Sequence, residues 1–260
     1  MDSLNFIDIA DYQRGMDLDT VFSQNDLHGV IVKATEGTSY VNKYCDPWVQ
    51  WLIEHKKPWG FYHYLNSSDP VKEAKYFVEN CKNYFGHGLP AADYEGRIVN
   101  EYGSIYLLKF VREVYSLTGV KPLVYCNLGV IQSDISGFKE IVDAGFSLWL
   151  AQYYYTRETT LGSNIMQVGS YYPFEKITMH QYSEKGKLNG YSGGYVDLDI
   201  FYGDYNDWNF LVSGTKPIDN VPDVPDVNPD KTWILDGIAY WENELAEIQK
   251  KIVNLRSRLN

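Results

Sequence analysis

Leu89-Pro90-Ala91-Ala92-Asp93-Tyr94-Glu95 is an apolar run that closes on two carboxylates one residue apart. Its first four residues read as a short buried strand, and on a strand residues i and i+2 share a face. Asp93 and Glu95 therefore project the same way from the strand's C-terminal end. Two like charges held that close do not both ionise cheaply, so one carboxyl is expected to hold its proton to higher pH. A carboxyl still protonated near neutrality is what a general acid requires to protonate a leaving oxygen. Taken alone, the tripeptide fits a solvated pair at a strand end equally well. The reading turns on what the other strand ends carry.

Outward from this strand the chain alternates apolar strands with amphipathic helices. Strands are expected at 6–9, 29–34, 59–64, 89–94 and 122–126, and helices near 17–25, 44–57, 69–85 and 101–118. Pro47 falls in the first turn of the second helix, and Asp69-Pro70 opens the third as an N-cap followed by Pro at N1. Strand–helix repeats of this spacing imply a parallel sheet with right-handed crossovers. After residue 145 the helical period is lost, and strands are expected at 146–153, 177–182 and 195–201, joined by polar segments rich in Gly and Tyr. Five βα units followed by three strands predict a barrel of eight, a fold that keeps its chemistry at the C-terminal ends of its strands.

Those ends carry polar and aromatic groups almost without exception. The first holds Asp8; the second runs Val32-Lys33-Ala34-Thr35-Glu36, where Lys33 and Glu36 fit a structural ion pair. The third gives Tyr62-His63-Tyr64, the fifth Tyr125-Cys126-Asn127 and the sixth Trp149-Leu150-Ala151-Gln152-Tyr153. The seventh gives His180-Gln181-Tyr182 and the eighth Val196-Asp197-Leu198-Asp199. Each piece alone is readily structural, as a hydrogen-bonded core histidine would be at His63. A full set at one end of a barrel is hard to explain as core.

Composition narrows the function classes. The 260 residues are 45% hydrophobic, enough for a core, and no apolar run approaches the ~20 residues of a membrane span. A formal charge of −11 argues against nucleic-acid binding and against attachment to anionic surfaces. Cys45, Cys81 and Cys126 are odd in number and lack metal-ligand spacing, as do the five His; no metal or other cofactor is expected. The opening Met1-Asp2-Ser3-Leu4-Asn5 does not look like a signal peptide. The 23 Tyr combine flat apolar faces with hydroxyls, a surface suited to sugar rings.

Residues 214–231 hold four prolines and no core pattern, and read as a stiff, extended linker. Beyond it, Ile234, Ile238, Trp241, Leu245, Ile248, Ile252, Leu255 and Leu259 recur at alternating spacings of four and three. This narrow seam over residues 232–260 favours self-association as a coiled coil over a helix packed on its own barrel. Early Glu242 and Glu244 and late Arg256 and Arg258 favour an antiparallel pair.

In ordered motifs the chain resembles the glycoside hydrolase family 25 lysozymes, the Chalaropsis-type muramidases common among bacteriophage endolysins. The motifs are Asp8 with a following Gln13, Val32-Lys33-Ala34-Thr35-Glu36-Gly37, Gly60-Phe61-Tyr62-His63, Asp93-x-Glu95, Val124-Tyr125, Leu148-Trp149-x-Ala151-Gln152-Tyr153 and Val196-Asp197-Leu198. They span about residues 5 to 212. The resemblance implies a TIM-like (β/α)5β3 barrel in residues 1–213 that cleaves the β-1,4 bond between N-acetylmuramic acid and N-acetylglucosamine in peptidoglycan. It implies Glu95 as general acid, with Asp93, Asp8 and Asp197 lining the groove. Tyr62, Tyr125, Trp149, Gln152 and Gln181 match positions near the sugar, and Lys33 and Asp199 join them as candidate binding residues. Two positions depart from the family: Ala10 stands where Ser is frequent, and Asp199 where Asn is usual. The resemblance further implies an enzyme made in a bacterial host's cytoplasm that reaches the wall through holin pores, or else a virion-borne lysin. Attack through a covalent intermediate and attack assisted by the substrate acetamido group both remain open. A barrel that kept the groove and lost turnover, a chitinase and a deacetylase are the rival classes.

Overall fold

Asp69 begins its helix as expected: its Oδ1 accepts hydrogen bonds from Val71 N (3.1 Å) and Lys72 N (3.0 Å), and Pro70 occupies the first turn. Caps and turns of this kind cut the chain into ten strands and eight α-helices in the computed structural model, which describes residues 3–153, 157–163 and 169–213. The strands are β1 (Leu4–Ile9), β2 (Gly29–Glu36), β3 (Tyr40–Val41), β4 (Trp59–Tyr64), β5 (Leu89–Asp93), β6 (Leu123–Asn127), β7 (Leu148–Ala151), β8 (Thr159–Thr160), β9 (Met179–Lys187) and β10 (Val196–Phe201). The helices are α1 (Leu18–Gln24), α2 (Cys45–Glu54), α3 (Pro70–Cys81), α4 (Arg97–Tyr102), α5 (Ser104–Thr118), α6 (Leu128–Ser133), α7 (Ile135–Asp143) and α8 (Tyr205–Ser213).

Eight strands close on themselves in the order β1-β2-β4-β5-β6-β7-β9-β10, with β10 returning to β1. Neighbours from β1 through β9 run parallel, while β10 is antiparallel to both β9 and β1. The barrel of eight expected from the strand spacing is thus present. Its last strand is reversed because a hairpin, not a helix, joins β9 to β10. The reversal has a functional consequence: the N-terminal end of β10, with Asp197, sits at the same mouth as the C-terminal ends of the other strands. The chain divides into two units after Lys216. The linker at 214–231 and the heptad segment at 232–260 lie outside the described residues.

Two layers of apolar packing hold the barrel. Leu4, Phe6, Ile31, Leu89, Ala91, Leu123, Met179 and Phe201 fill its interior. Phe6 stacks on Trp208 of α8 (ring centroids 4.5 Å), so α8 packs on the barrel core. The outer layer joins strands to helices through Val49, Leu52, Phe77, Phe110, Val111, Phe138 and Ile141. Gly60 shows how close the strands approach, since a Cβ there would lie 2.7 Å from Leu89 O.

Element bounds differ from the sequence reading where local chemistry intervenes. The helix expected at 101–118 is split into α4 and α5 by Gly103, whose φ of +64° is the left-handed conformation glycine adopts freely. The fifth βα unit has two short helices, each with its own cap: Asn127 Oδ1 accepts from Val130 N, and Asp134 Oδ1 from Gly137 N. They run six and nine residues, and α7 buries Phe138 and Ile141 on one face. Among the described residues no helix is long and apolar enough to cross a membrane.

Candidate active site

Alternation along the strands delivers one ring of side chains to the barrel mouth. A cavity of about 240 Å³ is lined there by Asp8, Tyr62, Asp93, Glu95, Tyr125, Trp149, Tyr153, Gln181, Glu184 and Asp197. All four carboxylates expected to work together are in this ring, as are Tyr62, Tyr125, Trp149 and Gln181.

The first strand's exit is fixed by Gln13. Its Oε1 accepts from Ala10 N (2.9 Å), and its Nε2 donates to Tyr195 O (3.3 Å), tying the end of β1 to the start of β10. In register, Asp8 pairs with Asp197 across these two strands. Glu95 follows β5 by two residues and is turned into the mouth by Gly96, whose φ is +65°. A Cβ at Gly96 would come within 2.8 Å of Tyr64 Oη.

Gln181 is the hub of the floor. Its Nε2 donates to Asp8 Oδ2 (2.6 Å), and its Oε1 accepts from Tyr125 Oη (2.8 Å) and Tyr153 Oη (2.6 Å). The amide orientation is set by this network, because both hydroxyls need an acceptor and the carboxylate needs a donor.

The electrostatics are those of a crowded acidic site. Burial, then the charges of Glu95 and Asp8, hold Asp93 well above the ordinary carboxylate range, with Lys33 pulling the other way. Burial raises Glu95 as well, again opposed by Lys33. The rise expected for one member of the Asp93–Glu95 pair thus falls on both, and it is greater at Asp93, the deeper of the two. Asp8 is held high by burial and by Asp199, against the lowering hydrogen bond from Gln181. Burial, followed by Asp8, Glu184 and Glu95, pushes Asp197 up to about 8. Such a cluster holds protons to higher pH than isolated carboxyls do.

Four candidate binding residues lie otherwise than expected. Asp199 shares the barrel-facing side of β10 with Asp197, as alternation requires, but one layer deeper. It is fully buried, accepts from Trp149 Nε1 (2.8 Å) and does not line the cavity. Trp149 reaches the cavity wall with only 1% of its surface exposed, packed edge-on against Tyr125 (4.8 Å) and Tyr62 (6.4 Å). That leaves no free ring face for a sugar. Gln152 points away because it alternates with Trp149, Ala151 and Tyr153; its backbone oxygen lies 2.9 Å from His180 Nε2. Lys33 is tied to Glu36 Oε2 (2.7 Å) and lies 4.8 Å over the Tyr64 ring, beside the cavity and not in its lining. The structural ion pair is what the chain uses there.

Two lining residues were not singled out in the sequence. Tyr153 follows the same alternation as Trp149, and that signal was available. Glu184 was not legible: β9 carries one more residue than β10 between the pairs Gln181↔Asp199 and Ser183↔Leu198. This bulge flips the facing of the residues just beyond it, Glu184 included, before a second register shift between Leu198 and Val196. His63 is the core histidine expected, fully buried between Thr35 Oγ1 (2.7 Å) and Glu73 Oε1 (3.3 Å). Among the described residues no group of three or more His, Cys, Asp or Glu is arranged to hold a metal ion.

Comparison with known proteins gives one family. A family model described as Glycosyl hydrolases family 25 matches residues 7–191. The autolytic lysozyme of Clostridium acetobutylicum is 29% identical over 217 residues, covering 82% of this chain and 59% of that protein. The lysozyme of Streptococcus phage Cp-7 is 25% identical over 154 residues, 57% of this chain and 43% of its own length. This chain therefore spans less than two thirds of either relative. The bacterial lysozyme from Streptomyces coelicolor shares the fold with a TM-score of 0.66 at 22% identity, covering 81% of this chain and 97% of that one.

Proposed function

The chain belongs to glycosyl hydrolases family 25, and from that membership we propose that it is a muramidase, hydrolysing the β-1,4 bond between N-acetylmuramic acid and N-acetylglucosamine in bacterial peptidoglycan. The observation that carries the proposal is the convergence of Asp8, Asp93, Glu95 and Asp197 on one cavity at the barrel mouth. Named relatives that are lysozymes support the substrate.

Glu95 is the general acid. It is half-buried at the rim, and a glycan closing over it removes more water and raises its proton affinity further. Asp93 beneath it keeps Glu95 protonated and positions either it or the substrate acetamido group. Asp8 and Asp197 face the sugar ring from the opposite strands and stabilise the positive charge of an oxocarbenium-like transition state. Burial and the surrounding acids raise the phenols of Tyr62, Tyr125 and Tyr153, which act as neutral hydroxyl groups.

The phage relative supports a role as an endolysin acting on the host wall. Residues 234–259 form the homo-oligomer contact in this proposal, placing several barrels on one wall surface and raising their effective concentration. A zymogram cast with purified peptidoglycan, with reducing ends measured in parallel, tests the activity. Clearing with reducing-end release supports it. Clearing without new reducing ends points to peptide cleavage, acetate release without clearing to deacetylation, and retention with neither to a binding barrel.

A further inference from the structure

Asp199 is a fully buried carboxylate beneath the site, and the proposed reaction gives it no role. Strand β10 pairs Asp8 with Asp197 and Phe6 with Asp199, so Asp199 faces the barrel interior beneath Asp8. Its Oδ1 accepts from Trp149 Nε1 at 2.8 Å. Its Oδ2 has no donor at all. The group against it is the Asp8 carboxyl, close enough to hydrogen-bond. Asp8 is itself buried, and its Oδ2 is occupied by Gln181 Nε2 at 2.6 Å.

Two acceptors thus face each other inside the barrel, each held from its far side by a neutral N–H. If both were ionised, two buried charges would repel and Asp199 Oδ2 would stay unsatisfied, and native proteins avoid both conditions. A proton between the carboxyls removes both. We propose that Asp8 and Asp199 hold one proton between them, making Asp199 a positioning residue for Asp8; the consequence for catalysis rests on the muramidase reading. The chain of contacts is Gln181 Nε2 to Asp8, Asp8 to Asp199 through the shared proton, and Trp149 Nε1 to Asp199. The pair carries one negative charge spread over two carboxyls. Asp8 is then fixed in orientation, able to stabilise a cation above it and weak as a nucleophile.

Other charged and titratable groups set where this proton is lost. Asp197 on β10, Asp93 and Glu95 at the end of β5, and Glu184 on β9 add negative charge around the pair and favour keeping it. Tyr62 on β4, Tyr125 on β6, Tyr153 after β7 and Tyr182 on β9 are neutral neighbours. Lys33 on β2 is a cation acting on Asp93 and Glu95.

Carbon NMR of the full-length protein labelled at Asp Cγ tests this, with Asp8 followed from pH 4 to 9 (about the span between free and buried carboxyls). Asp199→Asn keeps an acceptor for Trp149 and offers Asp8 an N–H in place of the shared proton. The Asp8 titration is expected to move down by about one pH unit or more. Trp149→Phe keeps a ring but removes the indole donor, and the Asp8 titration is expected to move up, the opposite direction. The acid limb of the kcat profile on peptidoglycan should follow Asp8 in both variants, whereas a merely structural Asp199 would change stability and leave that limb in place. An Asp8 titration unmoved by both substitutions overturns the proposal. Because the NMR titration needs no turnover, an inactive wild-type protein with a shifting Asp8 refutes the muramidase reading alone.

Discussion

Replacing Gln181 by Leu removes the hub of the site while keeping nearly the same volume. Three hydrogen bonds go with it: one donated to Asp8 and two accepted from Tyr125 and Tyr153. Tyr153 is half-buried and can turn to water, but Tyr125 and Asp8 cannot. A buried hydroxyl without a partner costs ~1–3 kcal/mol, and a lost hydrogen bond to a charged group ~1.5–3 kcal/mol. The sum, ~2.5–6 kcal/mol, corresponds to a fall in Tm of roughly 5–25 °C for a domain of this size. Gln181 also lowers the proton affinity of Asp8, so its loss raises that affinity further. The acid limb of the kcat profile should therefore move to higher pH, with kcat at its optimum down about tenfold for each 1.4 kcal/mol of lost transition-state stabilisation. Differential scanning calorimetry and peptidoglycan turnover from pH 4 to 8 (about the range over which free and raised carboxyls titrate) measure both. A variant with wild-type Tm and an unmoved acid limb would show that the Gln181 network neither holds the floor nor tunes Asp8.

Other perturbations follow from the same geometry. Asp197 titrates in the folded state at about 8, far above an unfolded Asp near ~3.9. Between those values the native state binds more protons, so stability is fullest in mild acid and declines as pH rises toward 8; Asp8, Asp93, Glu95 and Asp199 act in the same direction. Glu36, lowered by Lys33, opposes this weakly, and a Tm that climbs steadily from pH 5 to 8 would contradict the expectation. Trp149→Ala should cost ~3–5 kcal/mol because the ring is core, so an unchanged melting point with weakened glycan binding would instead restore it to the groove. Light scattering of the full chain should give a mass above 30.0 kDa, and deletion from Pro217 onward should return a monomer; a full-length monomer would remove the oligomer from the account.

How much of this was legible in the sequence depends on which physical signal fixed each residue. Position near a strand end, together with the family resemblance, pointed to Asp8, Asp93, Gln181 and Asp197. Alternation placed Asp197 and Asp199 on one face, but it carries no information on depth along the barrel axis, and depth separates a cavity residue from a buried partner. The resemblance points to Gln152 against its own alternation, whereas Tyr153 is on the face that lines the cavity. Glu184 required the extra β9 residue, which only pairing with β10 reveals. The antiparallel course of β10 was equally hidden, because a period of two reads the same in either direction. Helix α6 is set mainly by its cap at Asn127, whereas α7 also carries an apolar face at Phe138 and Ile141 behind its cap at Asp134.

The central claim is that Glu95 protonates the bond on the reducing side of N-acetylmuramic acid. Purified peptidoglycan digested by wild-type protein and by Glu95→Gln, then reduced with borohydride and analysed by mass spectrometry, tests it directly. Wild-type digests should end in reduced N-acetylmuramic acid, and the variant should release ~10²–10⁴-fold less of it while keeping a Tm at least as high, since a buried acid is replaced by a neutral amide. Products ending in reduced N-acetylglucosamine, or near-wild-type release by Glu95→Gln, would contradict the account.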